Sequence, residues 1–519
     1  MSNLDLKDKK VAILGLGIEG MALLKYLDSK TSNITILDRL SISEIIQNLE
    51  EGEKAGAENL IKKYKTISGE KYLDDLSGFD VVFRSPGISI DNPKLQEAVK
   101  NGIIISSQIK LFFDLCPCKI IGVTGTKGKG TTSSLIYEIM KKNLKFKIYN
   151  LAYRQAGLES NPNDQMGNGK INDKWEMKND KLPQVYLAGN IGYPAITLLS
   201  KLKSYDIVIL ELSSFQLMDL GKSPHIALVT NLTVDHLDYH KDIDEYQKSK
   251  FNIIKYQKED DFAVLNRNST YAEENISKLE SQIKYFSSEK GLDSREGGND
   301  NTENWDDGVD AVVKDDKVIL DTNGRSITIC DKNSIKLFGR HNLENIAAAS
   351  IVADILEVDP LVIKEAVKEF QGLPHRLELV TEIDGVKFVN DSFATNPEPT
   401  IAALNSFSEN KILILGGSSK GANFDELAGH IVNTNVSAVV LIGVEGEKIK
   451  NSLLNKGYGG KIISSGNSMD EIVSNAKSIA QSGDIVILSP ACASFDMFKN
   501  YKDRGEKFKT EVLNLISKS

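Results

Sequence analysis

A chain of 519 residues is too long for one hydrophobic core, and at about 150 residues per domain it predicts three domains. Its 41% hydrophobic and 26% charged residues are typical of a globular protein and exclude a disordered or fibrous one. A net charge of -9 argues against binding a nucleic-acid backbone, which needs a basic surface, but it permits one phosphorylated small ligand.

The cysteines and the N-terminus indicate the cellular compartment. Cys116, Cys118, Cys330 and Cys492 are too few and too scattered for a disulfide framework, so we interpret them as buried or indifferent thiols in a reducing cytoplasm. The opening "MSNLDLKDKK" has no apolar signal core, and no apolar run approaches the roughly 20 residues that cross a bilayer. We therefore expect a cytoplasmic protein without membrane contact.

The first predicted domain, residues 1–111, opens with "KKVAILGLGIEGMALLKYL", which predicts a strand, a glycine turn and a helix. A second strand, "NITILD", ends at Asp38, and a third, "DVVFRSPGIS", runs into Ser85-Pro86-Gly87. The G-x-G-x-x-G turn, followed by an acid about twenty residues later, matches a dinucleotide fingerprint. Taken alone it suggests hydride transfer, whereas a nucleotide-linked substrate remains the alternative.

The second predicted domain, residues 112–372, contains the strand "KIIGVTG", a glycine-rich loop and a helix from about Thr131. Such a loop points backbone N–H groups and a helix N-terminus at a bound anion. Lys129 is the residue we expect at the β- and γ-phosphates, ahead of Lys127. Gly130 stands where these loops place a Ser or Thr for magnesium, so Thr131 or Thr132 would have to supply the hydroxyl.

Further strands of this domain end in polar residues, in the runs "PQVYLAGNIG", "YDIVILELSSFQL" and "IALVTNLTVDHLDYH". Glu211 ends one strand and His236 follows another, which predicts a magnesium site at the carboxyl edge of a parallel sheet. By its position in "EYQKSKF" alone, Lys250 is a solvated helix lysine. Polar stretches near 150–182 and 287–310 are interpreted as surface insertions.

The third predicted domain, residues 373–519, follows a hinge at Gly372 and Pro374. Its strands "VKFVNDS", "KILILGG", "SAVVLIG" and "DIVILSP" alternate with helical patterns. The fold class is therefore α/β, with a Rossmann-like N-terminal domain, a central P-loop ATPase-type parallel sheet and a Rossmann-like C-terminal domain.

Eight motifs occur in a fixed order and together cover nearly the whole chain. They are "GTKGKGTT", "GNIG", "ELSSFQL", "NLTVDHLDYH", "GRHNLEN", "GLPHR", "NDSFATN" and "SPACASFDMFKN". In these motifs the sequence resembles the Mur ligase family. The resemblance implies an ATP-dependent, amide-forming step of peptidoglycan synthesis, in which the carboxylate of UDP-N-acetylmuramoyl-L-alanine is phosphorylated and then attacked by the amine of glutamate. It also implies a first domain that holds the UDP group rather than NAD, and we expect a monomer.

The resemblance also implies the roles of individual residues. ATP would be bound by Gly125, Thr126, Lys127, Gly128, Lys129, Gly130, Thr131, Thr132, Asn342, Asn345, Arg376 and Asp391. Two magnesium ions would be held by Thr131, Glu211, His236 and a carbamylated Lys250, and the catalytic residues would be Lys129, His236 and Lys250. The UDP-substrate would contact Gly15, Gly17, Ile18, Glu19, Asp38, Arg39, Ser85, Pro86, Gly87 and Asn190. The amino acid would contact Thr395, Lys420, Ser494, Phe495 and Tyr501.

Two departures from the family pattern affect these implications. Phe393 stands in "DSFATN" where the family usually has a lysine near glutamate, and Gly130 lacks the usual hydroxyl. The alternatives are a folylpolyglutamate-type ligase, a Mur-type ligase for another amino acid such as L-glutamate, and a catalytically silent nucleotide-binding homologue.

Overall fold

The computed structural model describes residues 6–47, 49, 51–155, 182–233, 239–288, 308–419, 421–466 and 468–518. Strands and helices alternate along these ranges and form three sheets. The chain divides into two compact units, residues 1–329 with 344–367 and residues 330–343 with 368–519. None of the helices in the described ranges combines the length and apolar character that a membrane crossing needs.

The first sheet is entirely parallel, with strand order β3-β2-β1-β4-β5. The run VAIL in β1 is buried along its whole length, because helices cover the sheet and each side chain of a central strand meets apolar neighbours. The strands are β1 Val11–Leu14, β2 Ile34–Asp38, β3 Lys65–Ser68, β4 Val81–Arg84 and β5 Ile104–Ser106. The helices are α1 Ile18–Leu27, α2 Ile42–Gln47, α3 Glu51–Ile61, α4 Pro93–Lys100 and α5 Gln108–Leu115.

The second sheet has nine strands in the order β14-β13-β12-β11-β10-β9-β6-β8-β7. Strands β6 to β12 pair in parallel, and β13 pairs antiparallel with β12. The strands are β6 Lys119–Thr124, β7 Val185–Gly189, β8 Ile207–Glu211, β9 Ile226–Val229, β10 Phe262–Asn266, β11 Gln282–Ser288, β12 Ala311–Lys314, β13 Lys317–Thr322 and β14 Arg325–Asp331. The helices are α6 Lys129–Gln155, α7 Ser214–Leu217, α8 Ile243–Lys255, α9 Thr270–Asn275, α10 His341–Ile355 and α11 Pro360–Glu369.

The third sheet lies in the second unit and has the order β15-β16-β20-β17-β18-β19. The edge strand β15 runs antiparallel to β16, and the remaining pairs are parallel. The strands are β15 Glu378–Ile383, β16 Val386–Asn390, β17 Lys411–Gly416, β18 Val436–Ile442, β19 Lys461–Ser464 and β20 Ile485–Leu488. The helices are α12 Pro397–Leu404, α13 Asp425–Val432, α14 Gly446–Asn455, α15 Met469–Ile479 and α16 Tyr501–Lys518.

The α/β class is confirmed, and each strand predicted from an apolar run is present. Each sheet falls within one of the three predicted domains, although the boundaries after residues 111 and 372 stay predictions. Most of the two predicted insertions lies outside the described residues.

Candidate active site

The glycine-rich loop follows β6 and leads directly into α6, which begins at Lys129, two residues before the predicted start. Gly125 and Gly128 have φ angles of 142° and 86°, in the region that favours glycine. A Cβ atom at Gly125 would collide with the Thr230 hydroxyl, and one at Gly128 with the Asn345 side chain. Glycine is therefore required at both positions, because the backbone turns tightly against neighbouring polar groups.

The segment after β9 holds this loop in place. The backbone N–H of Thr126 donates to the carbonyl oxygen of Asn231 at 2.7 Å. The backbone N–H of Lys127 donates to Oδ1 of the Asn231 side chain at 2.9 Å. The Thr230 hydroxyl donates to the carbonyl oxygen of Lys127 at 2.6 Å. A loop fixed in this way is already shaped before an anion arrives, so little ordering entropy is lost on binding.

The Lys129 side chain lies against the glycine-rich loop. Its Nζ donates to the carbonyl oxygens of Gly125 at 2.9 Å and Thr126 at 3.0 Å. On the same first turn, the Thr132 hydroxyl lies 3.2 Å from Oδ1 of Asn345, and Thr131 is half-buried. The loop, its lysine and Asn345 thus form one cluster, as the resemblance implies.

Glu211 ends β8, which neighbours β6 in the sheet, and its side chain is almost wholly buried. Asn190, just after β7, donates from Nδ2 to Glu211 Oε1 at 3.0 Å and from its backbone N–H to the Glu211 carbonyl at 2.8 Å. Because β7, β8, β6 and β9 are consecutive and parallel, their carboxyl ends meet at one edge. The structure therefore brings Asn190, Glu211 and the phosphate loop to the same edge.

Lys250 is buried, with 2% of its surface exposed, so its interpretation as a solvated helix lysine is wrong. Its Nζ lies 4.8 Å from the centre of the Tyr246 ring, and the Tyr246 hydroxyl donates to Oγ1 of Thr126 in the loop at 3.1 Å. The helix α8 buries Tyr246, Ser249, Lys250, Ile253 and Ile254, which follow the i, i+3, i+4, i+7, i+8 spacing of one helical face. That spacing was a sequence signal that could have placed Lys250 inside.

His236 and Lys420 lie outside the described residues. Over the ranges that the structure describes, no three His, Cys, Asp or Glu side chains gather closely enough to hold a metal ion. The assignments of His236 and Lys420 stay predictions.

The loops of the first sheet also gather at one edge. The Asp38 carboxylate accepts from the backbone N–H of Leu16 at 2.6 Å and of Leu40 at 2.8 Å, so it fastens the glycine turn after β1. Arg39 and Ile18 are exposed at this edge, and Gly15 and Gly17 shape its turn. The Ser85-Pro86-Gly87 turn lies after the neighbouring strand β4, and the Tyr239 hydroxyl donates to the Pro86 carbonyl at 2.9 Å.

Glu19 is placed differently from a phosphate ligand. Gln216 donates from Nε2 to Glu19 Oε1 at 2.6 Å, and burial raises the pKa of the Glu19 carboxyl above its ordinary value. The Gln216 Oε1 atom accepts from the backbone N–H of Ser213 at 2.9 Å. Gln216, for which the sequence predicted no role, therefore connects the glycine turn to the segment that follows Glu211.

A second connection to the segment after Glu211 is made by ion pairs. Asp219 lies 2.6 Å from NH2 of Arg84 and 2.6 Å from Nζ of Lys110. Burial alone would raise the pKa of the Asp219 carboxyl, but the two cations hold it below its ordinary value. The charged triad therefore connects the end of β4 and the helix α5 to the segment that follows α7.

In the second unit, Arg376 stands between His375 and Leu377, whose φ angles of 64° and 44° lie in the left-handed region. Non-glycine residues in this region store backbone strain, which proteins tend to retain at functional sites. The Leu377 N–H donates to Asp391 Oδ1 at 3.2 Å, and the Ser489 hydroxyl donates to Asp391 Oδ2 at 2.7 Å. The backbone bearing Arg376 is thus bound to Asp391.

Phe393, which replaces the family's usual lysine, packs against Arg376. The guanidinium carbon lies 4.1 Å from the Phe393 ring centre, and the ring meets Tyr501 edge-on at 5.0 Å between centroids. A cation over an aromatic face gains about 0.5–1 kcal/mol at an exposed site. The ring therefore orients the arginine instead of offering a charge to a carboxylate.

The remaining predicted residues of this unit are spread over its loops and the first turns of its helices. Ser494 is buried, Thr395 is half-buried, and Phe495 is 72% exposed with its backbone N–H bound to Oγ of Ser418 at 3.1 Å. Asn342 donates from Nδ2 to the Phe338 carbonyl at 2.6 Å. Their assignment to ATP and to the amino acid stays a prediction.

Arg504 was missed by sequence reasoning and is completely buried. It donates from NH2 to the carbonyl oxygen of Ser392 at 2.9 Å and from NH1 to that of Cys492 at 3.1 Å, while Nε donates to Oγ of Ser392 at 3.0 Å. One side chain therefore joins the loops after β16 and β20. Its position on the helix α16, among other charged residues, carried no signal that it points inward.

Asp391 provides a pH-dependent prediction, because burial raises its pKa to about 7. The folded protein keeps this proton where the unfolded chain has lost it, so the stability contributed by the neutral acid falls as pH rises from about 4 to about 7. Three pH units correspond to about 4 kcal/mol. We therefore expect the melting temperature of Asp391→Asn minus that of wild type to increase as pH rises from about 4 to about 7. Calorimetry at a series of pH values measures this difference.

The exposed Asp384, whose side chain is 69% accessible in the same unit, offers a matched control. Asp384→Asn should show no such trend relative to wild type. A difference between Asp391→Asn and wild type that stays constant from pH 4 to pH 8 would contradict the raised pKa.

A glycine-rich loop at a helix N-terminus, next to a buried strand-end carboxylate, defines a nucleotide-binding α/β protein. Three family models match the chain: "Mur ligase MurD-like, N-terminal domain" over residues 9–107, "Mur ligase middle domain" over 123–353, and "Mur ligase, glutamate ligase domain" over 375–492. The chain therefore belongs to the Mur ligase family, as its motifs indicated.

Curated relatives are similar over almost the full length. The UDP-N-acetylmuramoylalanine--D-glutamate ligase of Acetivibrio thermocellus is 37% identical, over 98% of this chain and 97% of its own. The enzyme of the same name from Clostridium tetani is also 37% identical, over 98% and 97%.

Solved structures support the fold. UDP-N-acetylmuramate-alanine ligase MurC from Thermotoga maritima has a TM-score of 0.52 and 17% identity, covering 98% of this chain and 100% of that one. MurF ligase from the same organism, solved in complex with ADP, has a TM-score of 0.51 and 17% identity, covering 98% and 96%. At this identity the likeness concerns the fold alone.

Proposed function

We propose that this protein is an ATP-dependent ligase that joins D-glutamate to UDP-N-acetylmuramoyl-L-alanine in the cytoplasmic synthesis of peptidoglycan precursors. The observation that carries the proposal is the shared sheet edge of the phosphate loop and the buried Glu211 carboxylate. The 37% identity over 98% of the chain to relatives named as D-glutamate ligases supports the choice of amino acid.

The chemistry follows from the weakness of a carboxylate as an electrophile. A carboxylate oxygen of the UDP-linked substrate attacks the γ-phosphorus of ATP, and ADP leaves. The glutamate amine then attacks the carbon of the acyl phosphate, an amide forms, and inorganic phosphate leaves. Positioning and charge neutralisation supply most of the rate in such transfers, and the phosphate loop with Lys129 provides both.

The oxygen donors at the sheet edge suit magnesium, which prefers carboxylate and hydroxyl ligands and retains several waters. We assign Thr131, Glu211, His236 and a carbamylated Lys250 to two such ions. Magnesium, when bound, neutralises the charge of the transferring phosphoryl group. Carbamylation would turn the buried Lys250 from a cation, costly to bury, into an oxygen donor.

The other predicted contacts complete the proposal. The turns of the first sheet would hold the UDP group, and Asn190 the muramoyl-alanine part. We assign Glu19 to the same UDP-substrate site, where its hydrogen bond with Gln216 would fix the glycine turn. We assign Asn342, Asn345, Arg376 and Asp391 to ATP, and Thr395, Lys420, Ser494, Phe495 and Tyr501 to glutamate. The working protein would be a monomer.

The decisive experiment measures phosphate release from ATP with UDP-N-acetylmuramoyl-L-alanine and, in turn, D-glutamate, L-glutamate or another amino acid. We expect release with D-glutamate and none when any one substrate is omitted. Equal release with L-glutamate would overturn the stereochemical part of the proposal, and a folded protein that releases none would overturn the reaction.

A UDP-sugar distinguishes this proposal from a folylpolyglutamate-type ligase, which needs no UDP-binding domain. The UDP-linked substrate should raise the melting temperature, because a ligand that binds only the folded state stabilises it. Stabilisation by a folate, without stabilisation by the UDP-linked substrate, would favour the alternative.

A further inference from the structure

Cys116 and Cys118 form a close pair of thiols away from the proposed active site. Cys116 directly follows α5, and Cys118 directly precedes β6, whose opposite end carries the phosphate loop. Their Sγ atoms lie 3.6 Å apart, in contact across Pro117. A Cys-Pro-Cys segment spans at most about 7 Å between its outer Cα atoms, which brings the pair within reach of disulfide geometry.

The two thiols differ in the way that a reactive dithiol requires. Cys116 is partly exposed, whereas Cys118 is 6% exposed. The hydrogen bond between the two sulfur atoms lowers the pKa of Cys116, and the same hydrogen bond, with burial, raises the pKa of Cys118. The accessible sulfur is therefore the better nucleophile, and the buried sulfur is in position to attack second.

The other two cysteines provide a contrast within the chain. Cys330 and Cys492 are both buried, and burial raises the pKa of Cys492 to about 12. These two fit the interpretation of all four cysteines as buried or indifferent thiols. The partly exposed, paired Cys116 does not fit it.

We propose that Cys116 and Cys118 are a redox-active dithiol site that reacts with low-molecular-weight disulfides of the glutathione class. The Cys116 thiolate attacks a sulfur of the disulfide, so a mixed disulfide forms and one thiolate leaves. Cys118 then loses its proton to solvent and attacks Sγ of Cys116, which expels the second thiolate. Two protein thiols are oxidised to one disulfide, and the small disulfide is reduced to two thiols.

Such a bond would close a small ring where α5 passes into β6, and it would be reversible. Disulfides of this kind in a reducing compartment are transient and respond to the redox state. This site does not depend on the proposed ligase reaction, since it involves none of the residues assigned to substrates or magnesium.

The test uses the full chain in buffers of increasing oxidised-to-reduced glutathione ratio, followed by acid quenching, maleimide alkylation and mass spectrometry. We expect wild type to lose two alkylatable thiols and the mass of two hydrogen atoms, with the change confined to the peptide of residues 111–119. Dithiothreitol should reverse it. Cys118→Ser should stop with one glutathione on Cys116, and Cys116→Ser should react at least about tenfold more slowly than wild type.

Cys492→Ser is the matched control and should behave as wild type. Circular dichroism identifies any variant that does not fold, in which case Cys116→Ala and Cys118→Ala replace the serine variants. Wild type that keeps all four thiols, or that holds a stable glutathione adduct as Cys118→Ser does, would overturn the proposal.

Discussion

Replacing Lys129 by alanine is expected to lower turnover about a hundredfold to a thousandfold, the usual scale for losing a group that stabilises charge in the transition state. Its Nζ lies against the loop carbonyls of Gly125 and Thr126, above the helix N-terminus where an anion would bind. The melting temperature should change little, because neighbouring segments fix the loop through Thr230 and Asn231. Phosphate release and calorimetry measure the two quantities.

Lys119 is the matched control, since it is an exposed lysine at the start of β6, at the opposite end of that strand from the loop. Lys119→Ala should keep turnover within about tenfold of wild type, as expected for an exposed charge. If Lys129→Ala also retained turnover within that range, the loop would not be catalytic. A wild-type protein with no turnover, but with ATP-dependent stabilisation, would indicate the catalytically silent homologue.

Replacing Lys250 by methionine should also lower turnover at least about a thousandfold, because a metal ligand would be lost. Methionine keeps the unbranched apolar stem in a position that is 2% exposed, so the fold should persist. With labelled bicarbonate, wild type should show a carbamate carbon signal by nuclear magnetic resonance, and Lys250→Met should not.

The exposed Lys255, on the same helix, is the control for this variant. Lys255→Met should retain both the carbamate signal and turnover. A Lys250→Met protein with normal turnover would refute the metal-ligand role. Full turnover in wild type without any carbamate signal would show that Lys250 acts unmodified.

The strongest sequence predictions came from uninterrupted apolar runs. "VAIL", "KIIGVT", "DIVILE" and "KILILG" all form central strands of the sheets, because parallel strands covered on both faces need apolar side chains throughout. The edge strands β3 and β19, by contrast, have polar, partly exposed residues and were not predicted. An edge strand pairs with only one neighbouring strand, so its side chains are less buried and its sequence need not be apolar.

The site residues likewise divide into those that the local sequence could predict and those that depend on distant partners. The glycines and lysine of the phosphate loop could be predicted because local backbone geometry and charge demand them, and Glu211 because an acid at the end of an apolar strand is unusual. The roles of Gln216 and Asp219 could not be predicted, since their partners Glu19 and Arg84 are distant in sequence and lie on α1 and β4.

The sequence by itself determined the family, the α/β alternation and the phosphate loop, because each depends on residues close together in the chain. Only the tertiary structure decided that Lys250 lies beside the Tyr246 ring, that Phe393 supports Arg376, and that Arg504 joins two loops. Such pairings depend on which segments pack together, and a charged residue carries no local mark of its partner. The physical reason is that hydrophobic patterning specifies which faces turn inward, whereas polar contacts form only after those faces have met.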